Sequence, residues 1–240
     1  MTDGLRRSVR LFRSFRYEQS EPALFYTALA TDAVSQLERI QSLHDVLLLD
    51  VGGGPGYFDK ALREAGARCV TVERDPTDLT ARPGMPVQMP LIADGCRLPM
   101  SNETFDVTHS SNVLEHVATP WTLLSEMIRV TRRGGLVCVA FTNWYSPWGG
   151  HETSPWHWFG GEFAVRRYER RHGHPPKNRF GVSLFEVHVG QALRWADARD
   201  DVEVVEARPR YLPPWARPLL RIPVAREVFT WNLAMVLRRL

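Results

Sequence analysis

The sequence gives no support for a membrane span, a disulfide or a zinc site. No apolar run approaches the roughly 20 residues that a membrane-spanning helix needs. The three cysteines, Cys69, Cys96 and Cys138, lie far apart and form no C-x-x-C pair, so neither a disulfide framework nor a zinc site is indicated. No other group of metal ligands has a convincing spacing. This cysteine usage fits a reducing compartment, and we expect a cytoplasmic protein that holds no metal.

Surplus charge is also scarce. The 30 Lys and Arg residues barely outnumber the 27 Asp and Glu residues, and a net charge of +3 does not by itself indicate a nucleic-acid partner. Hydrophobic residues make up 44% and charged residues 24%, which are ordinary globular values and exclude wholesale disorder. There is no internal repeat and no low-complexity tract. A chain of 240 residues with this composition predicts one large domain.

The start of the chain is rich in arginine. They interrupt every apolar run before Ser20, so a signal peptide is not expected. Five basic residues alternate there with five apolar ones: Arg6, Arg7, Arg10, Arg13 and Arg16 with Leu5, Val9, Leu11, Phe12 and Phe15. The alternation predicts a basic amphipathic helix. Two interpretations stay open, in which the helix packs against its own domain or contacts a membrane surface.

Strand and helix patterns alternate along the chain as far as Thr142. Strands are expected at 45–52, 68–75, 87–95, 105–111 and 136–142, the third of them weakened by Pro90. Helices are expected at 21–43, 57–67 and 119–135, the last with Thr119 as its N-cap, and 76–86 is expected to be a loop. Such alternation predicts a parallel sheet with helices on both faces.

The character of the sequence changes after Thr142. Tryptophans, glycines and histidines crowd the segment 143–161, where regular structure is not expected. Helices then follow at 161–171 and 186–198, a strand at 201–210, a Pro-rich stretch and a last strand at 231–239.

A Gly-rich turn follows the first strand, in "LLLDVGGGPGYF". Glycines at a strand's carboxyl end let the backbone approach a ligand closely, and the next helix offers free N–H groups. A dinucleotide fingerprint beginning at Gly52 would need Gly or Ala at position 57, where Tyr57 stands. The spacing therefore disfavours a nicotinamide-dependent oxidoreductase, which stays as an alternative.

The stretch "DVGGGPGYF" resembles the D/E-x-G-x-G-x-G motif of class I S-adenosylmethionine-dependent methyltransferases, in particular their type 11-like small-molecule and lipid group. The resemblance implies an α/β, Rossmann-like, doubly wound sheet of seven mostly parallel strands with an antiparallel last strand. It also implies a helical cap at 1–44, a cofactor-binding core at 45–142, and a substrate lid with completion of the sheet at 143–240, all within a single domain.

Three more segments resemble the family's motifs in order: Glu73 at the end of the second strand, "ADGCRLP", and "FDVTHSSNVLEHV". The resemblance implies that Asp50 anchors the ammonium group of S-adenosylmethionine, that Glu73 accepts from the ribose hydroxyls and that Asp94 accepts from the adenine amino group. The full set of cofactor-binding candidates is Asp50, Gly52, Gly54, Gly56, Glu73, Arg74, Asp94, Gly95, Cys96, Ser110, Ser111 and Asn112.

Methyl transfer needs alignment and exclusion of water, and an oxygen acceptor also needs a general base. The candidates for catalysis are His116 in "LEHV" and His151, Glu152 and His157 in the Trp/Gly segment, which we expect to act as a lid. No Asn/Asp-Pro-Pro-Tyr/Phe signature follows the fourth strand, which argues against nucleic-acid bases as acceptors. A small or lipid-like acceptor, methylated at oxygen, is the leading hypothesis; a non-catalytic cofactor-binding or membrane-surface partner protein is the alternative.

Overall fold

A seven-stranded sheet forms the centre of the molecule. The computed structural model describes residues 3–15, 17, 20–80 and 87–240, so Arg16 and the end of the expected loop at 76–86 lie outside the described residues. The strands are β1 (Leu47–Val51), β2 (Arg68–Glu73), β3 (Pro90–Ile92), β4 (Phe105–Ser111), β5 (Thr131–Thr142), β6 (Val202–Pro209) and β7 (Asn232–Arg239). Their order is β3-β2-β1-β4-β5-β7-β6, with β1 to β5 parallel and β7 antiparallel to both of its neighbours. The predicted fold class is confirmed.

Helices cover both faces of this sheet. They are α1 (Asp3–Phe15), α2 (Pro22–Glu38), α3 (Tyr57–Glu64), α4 (Pro76–Thr80), α5 (Pro120–Val130), α6 (Gly161–His172), α7 (Val189–Asp197) and α8 (Pro223–Phe229). One buried apolar cluster holds α5 and α7 against the sheet through residues such as Leu123 and Ala192. A second cluster holds α1, α2 and α3 against the other face through Leu11, Leu29 and Leu62.

Two local predictions were wrong. The helix expected to reach residue 135 ends at Val130, and Thr131 already has the extended backbone of β5. The Thr131 hydroxyl lies 2.7 Å from the carbonyl oxygen of Met127 and 3.0 Å from the Thr108 hydroxyl, contacts that tie it to the sheet. The expected loop at 76–86 begins instead as α4, because Asp75 accepts a hydrogen bond from the Thr77 amide (2.8 Å) at the start of that helix.

The Pro-rich stretch, expected only to lead into the last strand, contains two helical segments. Residues Pro214–Arg221 form a 3₁₀ helix, and α8 follows at once. Proline fits at both starts, because it stands at the first helical positions, where its missing N–H has no intrahelical partner to lose.

The first helix packs against its own domain with one face and leaves the other exposed. Leu11 is fully buried, and the Arg7 guanidinium donates a hydrogen bond (2.8 Å) to the Asp32 carboxylate on α2. Arg208 and Arg210 reach the same carboxylate, at 3.1 and 3.5 Å. Burial alone would raise the pKa of Asp32, but the hydrogen bond from Arg7 and these two charges outweigh it and hold that pKa below its usual value. Among the described helices, none is both long and apolar enough to cross a bilayer.

Candidate functional site

The glycine turn after β1 is tightly packed at its first glycine. Gly52 and Gly54 have left-handed backbones, with φ of 73° and 52°, and Gly56 does as well. A Cβ added to Gly52 would lie 2.4 Å from a methyl carbon of Val113, whereas one added to Gly54 would meet no atom within 4 Å. A side chain at Gly52 would therefore have no room, whereas the space next to Gly54 is open. Open space beside a glycine lets a ligand approach the backbone closely.

An unpartnered carboxylate oxygen lies under this turn. Asp50 is only 1% exposed, and its Oδ1 lies 2.7 Å from Nδ1 of His109. Its Oδ2 is buried and has no hydrogen-bond partner in the part of the chain that the structure describes, and a Cβ on Gly53 would come within 2.5 Å of it. A buried acceptor without a donor is costly, and it fits a cationic or N–H donor that arrives with a ligand.

Beside the turn is a cavity of about 330 Å³, here called the glycine-turn cavity. It brings together six of the predicted cofactor-binding residues: Gly52, Glu73, Arg74, Asp94, Gly95 and Cys96. The Glu73 carboxylate accepts hydrogen bonds from the amides of Gly54 (3.0 Å) and Arg74 (2.8 Å), which fixes it at the cavity wall. Burial raises the pKa of Glu73. Asp94 accepts from the Cys96 amide (2.9 Å).

A second cavity, of about 310 Å³, is here called the aromatic cavity. Six aromatic side chains form part of its wall: Phe15, Phe25, Tyr26, Trp148, Tyr211 and Trp231. The rest of the wall is polar and consists of Asn112, Glu115, His116, Thr142, Ser146, His151, Glu152, Lys177 and Asn178. His116 also lines the glycine-turn cavity, so the two spaces share one side chain as a common wall.

The imidazole of His116 is held in one tautomer. Its Nδ1 lies 2.7 Å from the carbonyl oxygen of Ser183, and because a carbonyl can only accept, Nδ1 carries the proton. With Nδ1 as the donor, Nε2 is the nitrogen of this ring that can accept a hydrogen bond. The ring of His151 stands nearly perpendicular to it at 5.0 Å, and burial together with His116 lowers the pKa of His151.

Glu115 is a site residue that the sequence interpretation missed. It is 2% exposed, and its Oε1 accepts the Thr142 amide hydrogen bond (2.9 Å) at the end of β5. Its Oε2 is buried without a partner among the described residues, and Glu115 lines the aromatic cavity. Its place directly before His116 in "LEHV" was the available signal. Glu152, by contrast, is occupied by the Asn178 side-chain amide (3.0 Å).

Several predicted residues line neither cavity, among them Asp50, Gly54 and Gly56. Ser110 donates to the carbonyl of Val51 (2.8 Å), and Ser111 accepts from Arg210 (2.9 Å), so both hydroxyls are engaged within the fold. His157 is fully buried, with Nε2 3.1 Å from the Ser146 carbonyl and its ring 5.1 Å from that of Trp144. This contact anchors the Trp/Gly segment. The cofactor-binding roles of Ser110 and Ser111 and the catalytic role of His157 stay predictions.

The pH dependence of stability tests the anchoring contact of His157. Burial lowers the pKa of His157, so the unfolded chain takes up that proton at a higher pH than the folded one. The free energy of unfolding is therefore expected to fall as the pH drops below about 6.5, down to the lowered folded-state pKa. His157→Asn should flatten this slope in thermal unfolding, and His174→Asn, at an exposed position, should not. An unchanged slope in His157→Asn would contradict the assignment.

Proteins of similar sequence are named as methyltransferases. A family profile described as a methyltransferase domain matches residues 49–139. An uncharacterized methyltransferase from Mycobacteroides abscessus is 48% identical over 247 residues, covering 98% of this chain and 94% of its own. One from Mycobacterium avium is 47% identical over 243 residues, covering 98% and 95%.

Solved structures of low identity share the fold. A crystal structure of an S-adenosylmethionine-dependent methyltransferase from Mesorhizobium loti superposes with a TM-score of 0.57 at 18% identity, covering 86% of this chain and 98% of its own. A magnesium protoporphyrin IX methyltransferase from Synechocystis, with S-adenosylhomocysteine bound, has a TM-score of 0.55 at 12% identity, covering 100% and 95%.

Proposed function

This chain belongs to the S-adenosylmethionine-dependent methyltransferase family, and from that premise we propose that it methylates a hydroxyl group of a small amphiphilic molecule held in the aromatic cavity. The chain is an enzyme that uses S-adenosylmethionine, which decides against the nicotinamide alternative. The observation that carries the proposal is the shared wall at His116, which sets a space with aromatic and polar walls directly against the glycine-turn cavity.

The residues around the glycine turn fit the methyl donor. The unpartnered Oδ2 of Asp50 suits its ammonium group, and the free space above Gly54 suits close approach of its body. Glu73 and Asp94 offer carboxylate oxygens to hydroxyl and amino groups within the same cavity. When bound, S-adenosylmethionine supplies an activated methyl group on a sulfonium, so the protein's task is mainly alignment and exclusion of water.

The aromatic cavity supports an acceptor with an apolar body and a hydroxyl head. Six aromatic rings can bury a ring or chain, and aromatic surface contributes strongly to such burial. The hydroxyl of the acceptor has one proton, which Nε2 of His116 can accept, and the unpartnered Oε2 of Glu115 can accept from a second polar group of the same molecule. Nε2 of His116 can take the hydroxyl proton, and Glu115 can hold the acceptor in place. With S-adenosylmethionine bound, the C–S bond of its sulfonium would break as the O–CH3 bond forms, and S-adenosylhomocysteine would leave.

The test begins with calorimetric titration of S-adenosylhomocysteine, with NADH as the control ligand. Micromolar affinity for S-adenosylhomocysteine alone is expected. A Kd of that order is a binding free energy of about −8 kcal/mol. Turnover of radiolabelled S-adenosylmethionine with a panel of phenolic and long-chain alcohols, each paired with its amine analogue, then examines the acceptor. Turnover confined to amines would contradict methylation at oxygen, and binding without any turnover would favour a non-catalytic partner protein.

A variant series assigns the base. His116→Asn should lower kcat about 100-fold, the usual share of a general base, with little change in S-adenosylhomocysteine affinity. Glu115→Gln should raise KM for the acceptor more than it lowers kcat. The matched control is His174→Asn, which lies on the exposed surface. Undiminished turnover in His116→Asn would remove it as the base and leave His151 as the next candidate.

A further inference from the structure

We propose that the outer face of α1, together with residues 214–229, binds the surface of an anionic lipid bilayer, and that the aromatic cavity opens beside this surface. The docking surface is defined by its exposed apolar residues Leu5, Phe12, Trp215, Ile222, Val224, Val228 and Phe229, and by the arginines Arg6, Arg10, Arg13 and Arg221. The inference is independent of which acceptor the enzyme methylates.

The two segments lie side by side although they come from opposite ends of the chain. A Cβ added to Gly4 on α1 would lie 2.6 Å from the ring of Pro214, so the two backbones touch there. Further along α1, the ring of Phe12 packs 5.7 Å from that of Trp231, which directly follows α8 and Thr230. Their exposed side chains therefore form one continuous surface.

The apolar side chains of this surface are unusually exposed. Trp215 and Val224 are each 76% exposed, and Ile222 and Phe229 are 56% and 55% exposed. A single exposed apolar residue needs no explanation, but a contiguous group indicates a surface that is covered in use. Tryptophan, with an apolar body and one N–H, is a residue that favours the interfacial zone of a bilayer.

The positive charge of the docking surface favours an anionic partner. Within the described part of the chain, Arg6, Arg10, Arg13 and Arg221 form no ion pair, whereas Arg217 pairs with Glu206. The nearest carboxylate on α8, Glu227, is occupied by the amides of Val189 (3.0 Å) and Gly190 (2.8 Å). Unpaired arginines among apolar residues match a surface that is apolar inside and anionic at its headgroups. Two copies of this face would instead bring like charges together.

An aromatic path joins the docking surface to the aromatic cavity. The ring of Phe12, on the surface, contacts Trp231; Trp231 lies 4.8 Å from Trp148. Trp148 in turn lies 4.4 Å from Phe15, and the last three rings all line the cavity. The wall of the aromatic cavity thus extends to the docking surface, which would place the cavity beside the bilayer.

Sedimentation with lipid vesicles tests this inference on the full chain. Vesicles of phosphatidylcholine alone are compared with vesicles that also contain phosphatidylglycerol, at low and at high salt. We expect binding to the anionic vesicles at low salt and release at high salt, since screening weakens exposed charges. The triple variant Arg6→Glu, Arg10→Glu, Arg13→Glu should bind at least about tenfold less, as should Trp215→Ser combined with Val224→Ser.

A matched charge reversal elsewhere controls for non-specific attraction. Arg166, Arg170 and Arg171 are exposed on α6, outside the docking surface, and their replacement by Glu should leave vesicle binding unchanged. S-adenosylhomocysteine affinity and the melting temperature, measured on every variant, show that the fold is kept. No sedimentation of the native chain, or equal losses in both arginine triples, would overturn the proposal. So would a dimer in light scattering that the Trp215 and Val224 substitutions dissociate.

Discussion

Gly54→Val is expected to lower the affinity for S-adenosylhomocysteine about 1,000-fold or more, equivalent to roughly 4 kcal/mol. Gly54 has φ of 52°, a backbone that a β-branched residue adopts only under strain. Its Cβ would also enter the open space above the turn, where the ligand is to approach. The Gly54 amide donates to Glu73, so any shift of the turn moves that carboxylate as well. Isothermal calorimetry measures the effect directly.

Gly134→Val is the matched control for this change. Gly134 has φ of 77°, and an added Cβ there would likewise meet no described atom within 4 Å, but it lies in the first part of β5 and not in the glycine turn, which borders the cavity through Gly52. Both variants should lose similar stability from backbone strain, and only Gly54→Val should lose binding. If Gly54→Val bound S-adenosylhomocysteine like the native protein, the cofactor would not lie over the glycine turn.

Asp32→Ala is expected to destabilise the protein by about 3–5 kcal/mol, as for breaking a buried ion pair from one side. One carboxylate faces three guanidinium groups here, those of Arg7, Arg208 and Arg210. Without it, the fully buried Arg210 keeps its charge with no counter-ion, and burial already lowers the pKa of Arg210. Since domains are stable by only about 5–15 kcal/mol, a loss of this size would remove a large share of the free energy of unfolding.

Urea unfolding of Asp32→Ala beside Asp201→Ala measures this loss. Asp201 pairs with Arg199 (2.7 Å) on the surface, and the loss there should stay below about 1 kcal/mol. Because the pKa of Asp32 is lowered, its contribution is present at neutral pH and disappears as the pH falls through that pKa. The difference in unfolding free energy between native protein and Asp32→Ala should shrink in acid. Equal losses in both variants would contradict the special role of this carboxylate.

Sequence patterns predicted correctly those strands and helices whose bounds depend on neighbouring residues in the chain. β4 was expected at 105–111 and is observed as Phe105–Ser111, and α6 was expected at 161–171 and is observed as Gly161–His172. The glycine turn was recognisable because left-handed backbone and close approach both require glycine at that place. Thr131 was misassigned, since its contact with Thr108 comes from a strand much earlier in the chain, which a local pattern does not contain.

The aromatic cavity was beyond the reach of the sequence for the same reason. Phe15, Trp148, Tyr211 and Trp231 are scattered from one end of the chain to the other, and only the folded chain gathers them. Apart from its place before His116, nothing in the sequence around Glu115 distinguishes it from other acidic residues. It becomes a candidate site residue only because the folded chain buries its Oε2 without a donor. Motifs therefore indicated six of the residues that line the glycine-turn cavity, whereas the make-up of the aromatic cavity depends on tertiary structure.

The position of β7 between β5 and β6 has a consequence for how the protein is made. β1 to β5 can pair in turn as they leave the ribosome, whereas β6 must wait for a neighbour that is synthesised only after α8. Until then Arg208 and Arg210, which lie in or directly after β6, are not fixed opposite Asp32. The nascent chain would thus assemble its cofactor half first and fasten its amino-terminal helix only late in translation.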